Sequence, residues 1–235
     1  MKKNLIVLTG AGISRESGIQ TFRDDDGLWE KHRIEEVATP QAFAYNPDKV
    51  YHFYNERRRK LREVEPNTAH LSLAQWEKEW ADHWNVFIIT QNVDDLHERA
   101  GSQNILHLHG ELKKVRSTQH PELILDWEED LTSSHRGPDG ATLRPHIVWF
   151  GEAVPAMQEA EALAATADAW MVIGTSMAVY PAAGLVHHMP DHAPGWFIDP
   201  KPALRPNQRL TIIDAAATIG VPLALQQMTH HFHGD

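Results

Sequence analysis

The sequence predicts an α/β protein built on a parallel sheet of βαβ units. Three observations lead there: short β-rich apolar runs recur along the chain, helical stretches separate them, and the first run ends in a pair of glycines. The runs cover residues 5–8, 86–89, 147–150, 171–173 and 210–213. Near-continuous Val, Ile and Leu suits strands that are covered by helices on both faces. With 235 residues the chain can bury one large core, or one core carrying a smaller insertion.

Residues 4–9 form the first strand and run straight into Gly10-Ala11-Gly12-Ile13-Ser14. Two glycines spaced by one residue let the backbone approach a pyrophosphate, whose charge the free amides of the next helical turn hold. Arg15 stands where the dinucleotide fingerprint would place its third glycine, so that pattern is met only in part. Asn46 before Pro47 predicts a capped helix through about residue 63. Residues 157–169, rich in Ala, Glu and Leu, predict a crossover helix feeding a strand that ends at Gly174. Residues 111–144 break the α/β rhythm with Pro121 and Gly137-Pro138-Asp139-Gly140, and are expected to be a loop-rich excursion. The His230-His231-Phe232-His233 tail is expected to be disordered.

Composition narrows the function classes. A net charge of −10 argues against nucleic acid or an anionic membrane as the main partner, whereas a cationic, lysine-bearing substrate fits. The apolar run after Lys2 and Lys3 is too short for a signal-peptide core, and no later segment has a membrane-spanning length, so the expected location is the cytoplasm. The chain has no cysteine, hence no disulfide, thiol nucleophile or thiolate metal site.

Several polar groups fall at the carboxyl ends of the predicted strands, where open parallel sheets bind ligands. Gln91, Asn92 and Asp94 follow the second run; their amides and carboxylate suit ribose hydroxyls and a carboxamide, although Asn and Asp also simply cap helices. His107 and His109 alternate with leucines, which sends both imidazoles to one face, and an imidazole titrates close enough to neutrality to act as a general base. Gly174-Thr175-Ser176 ends another strand with hydroxyls suited to a phosphate or a ribose, or to a plain helix cap. Tyr54 and Arg57 stand three apart on one helix face, where a phenol and a guanidinium can grip one carboxylate; alternatively Arg57 belongs to a solvated basic face with Arg58, Arg59 and Lys60.

The ordered series Gly10–Ser14, Thr21-Phe22-Arg23, Gln91-Asn92-Val93-Asp94, His107-Leu108-His109-Gly110, Trp149-Phe150-Gly151-Glu152 and Gly174-Thr175-Ser176 resembles the sirtuins, NAD-consuming protein deacylases, over nearly the whole chain. The resemblance implies a Rossmann-like domain, about 1–30, 70–110 and 145–235, with a smaller inserted domain, about 31–69 and 111–144. It implies NAD as co-substrate and acylated-lysine proteins or peptides as partners. Gly10, Ala11, Gly12, Ile13, Phe22, Arg23, Gln91, Asn92, Asp94, Gly174, Thr175, Ser176, Asp199 and Ala217 would bind NAD, with Phe22 screening the reactive ribose from water. His109 would be the general base and Asn92 its catalytic neighbour at the ribose. Val148, Phe150, Gly151, Val179 and Tyr180 would lie along an extended peptide, clasped as an added strand.

Tyr54 and Arg57 look like the Tyr-x-x-Arg motif of class III sirtuins, which also remove succinyl and malonyl groups, and Ala38 would leave room for the longer chain. Departures are equally plain. Sirtuins of this kind usually carry four zinc-binding cysteines after the catalytic histidine; here Ser117 stands where the first is expected, and no structural zinc is expected. Phe197 and Ala215 replace two adenosine-site residues of the family. Two other functions stay open from sequence: a non-catalytic NAD or ADP-ribose sensor, and an NAD hydrolase or ADP-ribosyl transferase.

Overall fold

A computed structural model of the protein describes residues 2–20, 28–29 and 32–234. It begins with β1 (Lys3–Thr9), the short β2 (Leu28–Trp29) and β3 (His32–Arg33), then α1 (Ile34–Val37), α2 (Pro40–Tyr45), α3 (Pro47–Leu61) and α4 (Thr68–Glu79). Next come β4 (Trp84–Thr90), α5 (Leu96–Ala100), β5 (Ile105–His107), β6 (Gly110–Ser117), β7 (Ile124–Asp126) and β8 (Leu143–Ile147). The chain continues through α6 (Met157–Ala164), β9 (Ala169–Ile173), β10 (Gly195–Ile198), β11 (Leu210–Ile213) and α7 (Ala217–His233).

Six strands form one parallel sheet in the order β11-β10-β9-β1-β4-β5. The chain builds outward from β1 to β5, then restarts on the other side of β1 at β9. This reversal is a topological switch point, where loops leaving neighbouring strands diverge and open a crevice. β1 shows why the strand forms: Leu5 and Val7 pack one way against Leu73, Trp76, Val221 and Met228 of α4 and α7, while Ile6 and Leu8 pack the other way with Ala160 and Ala164 of α6. All four are fully buried, each contributing roughly 2 kcal/mol of apolar burial.

A second, antiparallel sheet, β7-β6-β8, is covered by α3. Asn46 Oδ1 caps α3 by accepting from Lys49 N (3.1 Å), with Pro47 in the first turn, as the sequence predicts. The buried stripe of α3 includes Val50, Phe53, Tyr54, Arg57, Arg58 and Leu61, a helical periodicity. Polar ties join it to the sheet: Tyr51 Oη donates to Leu143 O (2.7 Å), and Arg58 Nε to Leu112 O (2.9 Å). Asn55 both donates to Leu131 O and accepts from Leu131 N, each at 2.9 Å.

Residues 111–144 are rich in loops as expected, and they also hold most of β6, all of β7 and the first two residues of β8; a register shift between Gly110 and Val115 breaks the alternation that would have revealed β6. Three expectations are corrected. The run 147–150 is not a strand of the parallel sheet. Ile147 ends antiparallel β8, and Trp149 is apolar because it buries among Val37, Phe53, Tyr54 and Leu96. The crossover helix stops at Ala164, and Ala169 already belongs to β9. The histidine-rich tail is helical to His233: Phe232 stacks edge-on against Trp84 at 4.9 Å, and Trp84 Nε1 donates to His233 Nε2 (3.0 Å). Among the described residues no helix is long and apolar enough to cross a membrane.

Candidate active site

A cavity of about 730 Å³ opens at the carboxyl edge of the parallel sheet. The tips of five neighbouring strands converge on it. Gly10, Ala11 and Gly12 follow β1, Gln91, Asn92 and Asp94 follow β4, His109 follows β5, Gly174, Thr175 and Ser176 follow β9, and Asp199 follows β10. Ala217, the first residue of α7, joins them. Ala38, Tyr54, Val148, Phe150, Gly151, Val179 and Tyr180 line the remaining wall. Ile13 lies beneath, fully buried in the core, and Arg57 is not among the lining residues. Phe22 and Arg23 lie outside the described residues.

The glycines are needed where β1 and β9 part. A Cβ on Gly12 would come within 2.6 Å of Gly174 Cα, and Gly174 itself has φ +62°. Neither position tolerates a side chain, and Gly12 N donates to Gly174 O (2.8 Å) to lock the two loops together. The floor of the cavity is therefore bare backbone, which a pyrophosphate can approach closely. The close approach of these two loops does without the third glycine of the dinucleotide fingerprint.

His109 has a defined tautomer. Its Nδ1 lies 3.0 Å from Gln91 O, a group that only accepts, so Nδ1 carries the proton and Nε2 keeps its lone pair. Burial lowers its pKa below the ordinary 6.5, against the opposing pull of that carbonyl, so the ring is a neutral base at pH 7. Gln91 is itself held, its N–H donating to Thr9 O (2.9 Å) and its side-chain amide to Thr175 Oγ1 (3.3 Å).

Asn92 and Asp94 form a chain with a residue that motif reading passed over. Asn92 Nδ2 donates to Ser14 Oγ (3.1 Å), which donates to Asp94 Oδ2 (2.9 Å). Ser14 is fully buried and ties the glycine loop to the loop after β4. Its only visible signal in the sequence is its place at the end of the Gly10–Ser14 motif. Burial raises the Asp94 pKa to about 6, opposed by the Ser14 hydrogen bond.

The opposite wall is built on Trp149. Its ring lies under the Arg144 guanidinium (3.3 Å), and its Nε1 donates to Tyr54 Oη (3.0 Å). Glu152 accepts from Arg144 (2.6 and 3.0 Å) and from Trp149 N (2.7 Å), which fixes the turn. Those charge-assisted contacts hold the Glu152 carboxyl below its usual range, although burial opposes them. Phe150 N donates to Ala38 O (3.0 Å), and Val148 N to His109 O (2.9 Å). Arg57, one turn from Tyr54, is buried with its guanidinium over the Phe53 ring (3.3 Å) and donates to Phe53 O (2.5 Å).

The inserted domain does not fit a thiolate zinc site. Ser117 Oγ accepts from Gln119 N and His120 N (both 3.1 Å) and donates to Asp139 Oδ2 (2.5 Å). His135 Nδ1 accepts from Thr132 N (3.0 Å), and the histidines at 120 and 135 form no metal-ligand cluster among the described residues. Hydrogen bonds close this corner of the fold.

Fold and cavity together define a dinucleotide-binding α/β protein with a half-buried imidazole base facing the ligand crevice. The Sir2 family model matches residues 10–181, and the chain belongs to that family. The NAD-dependent protein deacylase of Helicobacter pylori is 58% identical over 199 residues, 85% of this chain and 85% of that protein. The NAD-dependent protein deacylase of Bacteroides thetaiotaomicron is 52% identical over 206 residues, covering 85% and 86%. A crystal structure of a Sir2 homologue–NAD complex shares the fold with a TM-score of 0.84 and 38% identity, covering 97% of this chain and 90% of that one. A Sir2 complex with a deacetylated p53 peptide and 3′-O-acetyl ADP-ribose has a TM-score of 0.77 at 28% identity, covering 98% and 93%.

Proposed function

We propose that this protein is an NAD-dependent protein-lysine deacylase that releases nicotinamide and O-acyl-ADP-ribose. One observation carries the reading: the bare glycine floor and the basic Nε2 of His109 open into one cavity. NAD supplies an electrophilic ribose carbon and a leaving nicotinamide. The chain's part is to hold the pyrophosphate on Gly10–Gly12 and Gly174, to orient the ribose with Gln91 and Asn92, and to place Asp94 against the carboxamide. His109 accepts the ribose hydroxyl proton as the acyl group moves, a role open to it because the Gln91 carbonyl has already committed its other nitrogen.

The substrate is an acyl-lysine in an extended protein segment. Backbone at 148–151 and 177–179 clasps it as an added strand, reading backbone rather than sequence. In this reading Tyr54 and Arg57 set the acyl class: Tyr54 lines the cavity, and Arg57 swings from the Phe53 carbonyl to meet a succinyl or malonyl carboxylate, with Ala38 leaving room. The site of action proposed with this reading is the cytoplasm.

The test is incubation with acetyl-, succinyl- and malonyl-lysine peptides, with and without NAD. NAD-dependent loss of the acyl group is expected. NAD binding without turnover would instead mark a sensor, and NAD cleavage without acyl transfer a hydrolase or transferase. Arg57→Met is expected to lower kcat/KM for succinyl-lysine by at least ~10-fold more than for acetyl-lysine, the loss of a charge-assisted contact; equal losses would remove Arg57 from that role.

A further inference from the structure

The Asn92 backbone is gripped on both sides. Its N–H donates to Thr90 Oγ1 (3.0 Å), and its carbonyl faces His107 Nδ1 (3.0 Å). The other nitrogen of His107 lies 2.7 Å from Glu98 Oε1. A carbonyl and a carboxylate both only accept, so the ring satisfies both partners only if each nitrogen carries a proton. We propose that His107 is an imidazolium bridge from Glu98 to the Asn92 carbonyl, a positioning residue that sets Asn92, and through it Ser14 and Asp94, in the cavity. It rests on the deacylase reading.

The surroundings favour the charged ring. Burial works against it, yet the Glu98 hydrogen bond and charge, with smaller help from Glu111 and the Asn92 carbonyl, leave the pKa of His107 raised above 6.5. Every charged or titratable group facing it fits this balance. Glu98 on α5 touches the ring, and Glu111 on β6 adds negative charge that Lys114 partly offsets through its own ion pair (2.8 Å). Asp94 feels the ring's positive charge, and His97 behind it stays neutral because it is buried.

Deprotonation leaves one N–H for two acceptors, so one contact becomes lone pair against lone pair. As pH rises through the raised pKa of His107, the hold on Asn92 is lost. This limb is opposite in sign to that of His109, whose activity appears as pH rises and its proton leaves. The two together give a bell-shaped profile in kcat.

Glu98→Gln separates this bridge from a merely structural contact. Glu98 is 40% exposed, so the change is mild, and the introduced amide donates to the Nε2 lone pair of a neutral His107. The neutral ring then keeps its Nδ1–H on Asn92 O at all higher pH. Expected results are a His107 ring that titrates above 6.5 by NMR in the wild type and lower in Glu98→Gln, with the alkaline limb of kcat absent from that variant. His107→Leu is expected to lower kcat by roughly 10- to 100-fold while KM for the acyl peptide stays within about twofold. A wild-type ring titrating at or below 6.5, an alkaline limb that survives Glu98→Gln, or an unchanged kcat in folded His107→Leu would overturn the proposal. The ring titration is read on the protein without substrate, so it judges the bridge even if no peptide is deacylated or His107→Leu does not fold.

Discussion

The parallel-sheet region and the antiparallel insertion fix their loops by different physics. In the first, loop geometry is inherited from buried strands: Gly12 meets Gly174 because β1 pairs with β9, and Gln91 meets Thr9 because β1 pairs with β4. In the second, α3 meets the sheet through two separate clusters, Val50, Phe53, Tyr54 and Leu61 with Leu112 and Ile147, and Tyr51 with Val115, Leu131 and Leu143. Discrete hydrogen bonds from Asn55, Tyr51 and Ser117 complete the second of them. The parallel sheet is specified by apolar burial on both its faces, whereas the insertion adds to its apolar contacts a few polar ties, each individually vulnerable.

Substitution at the meeting of β1 and β9 should have the largest effect. Gly12→Ala places a methyl against the Gly174 backbone, so the loops separate; ADP-ribose binding should fall below detection by calorimetry, with at least ~3 kcal/mol lost in urea unfolding. Retained binding would mean that the contact is loose. Acid should weaken both regions, for burial and the nearby Arg116 push His146 of β8 down to about 4. His70 titrates at about 4 in the folded protein, against 6.5 ordinarily, because burial disfavours its charge, and the neighbouring His97 is lowered too. Below 6.5 the unfolded chain therefore takes up protons that the folded chain refuses. Stability should fall between pH 6.5 and 4, by up to ~3 kcal/mol from His70 alone, and His70→Asn should flatten that slope.

Asn55→Ala should cost ~2 kcal/mol, by leaving the Leu131 peptide unsatisfied on both sides. Hydrogen exchange should then accelerate in β6–β8 while β1 and β4 stay protected; uniform acceleration would show that the two regions unfold as one. Smallest of all is the effect of a chelator. With Ser117 and Asp139 bonded directly, excess EDTA should leave the melting temperature unchanged, and a chelator-induced drop with stoichiometric zinc by metal analysis would contradict that.

The same division explains what was legible in the sequence. Glycines and polar residues placed just after apolar runs point to strand tips, and the structure brings those tips together because a parallel sheet puts all its carboxyl ends on one edge. The insertion was hidden. A bulge in β6 breaks its alternation, and the apolar run at 147–150 imitates a central strand because Trp149 is buried by helices. Contacts such as Ser14 with Asn92, or Glu98 with His107, join segments whose proximity only the fold creates. Helical spacing put Tyr54 and Arg57 on one face, and both are buried, but a side chain's rotamer is decided by packing, here by the Phe53 ring and carbonyl.

The central claim is that one imidazole couples NAD cleavage to acyl transfer in a single cavity. Its most direct test is a product balance: nicotinamide, free lysine peptide and O-acyl-ADP-ribose quantified together for wild type and His109→Ala. The wild type should form all three in equal amounts, and His109→Ala should lose at least ~100-fold in deacylated peptide while still binding ADP-ribose. Equal product formation by His109→Ala, or wild-type nicotinamide released without acylated ADP-ribose, would contradict the account.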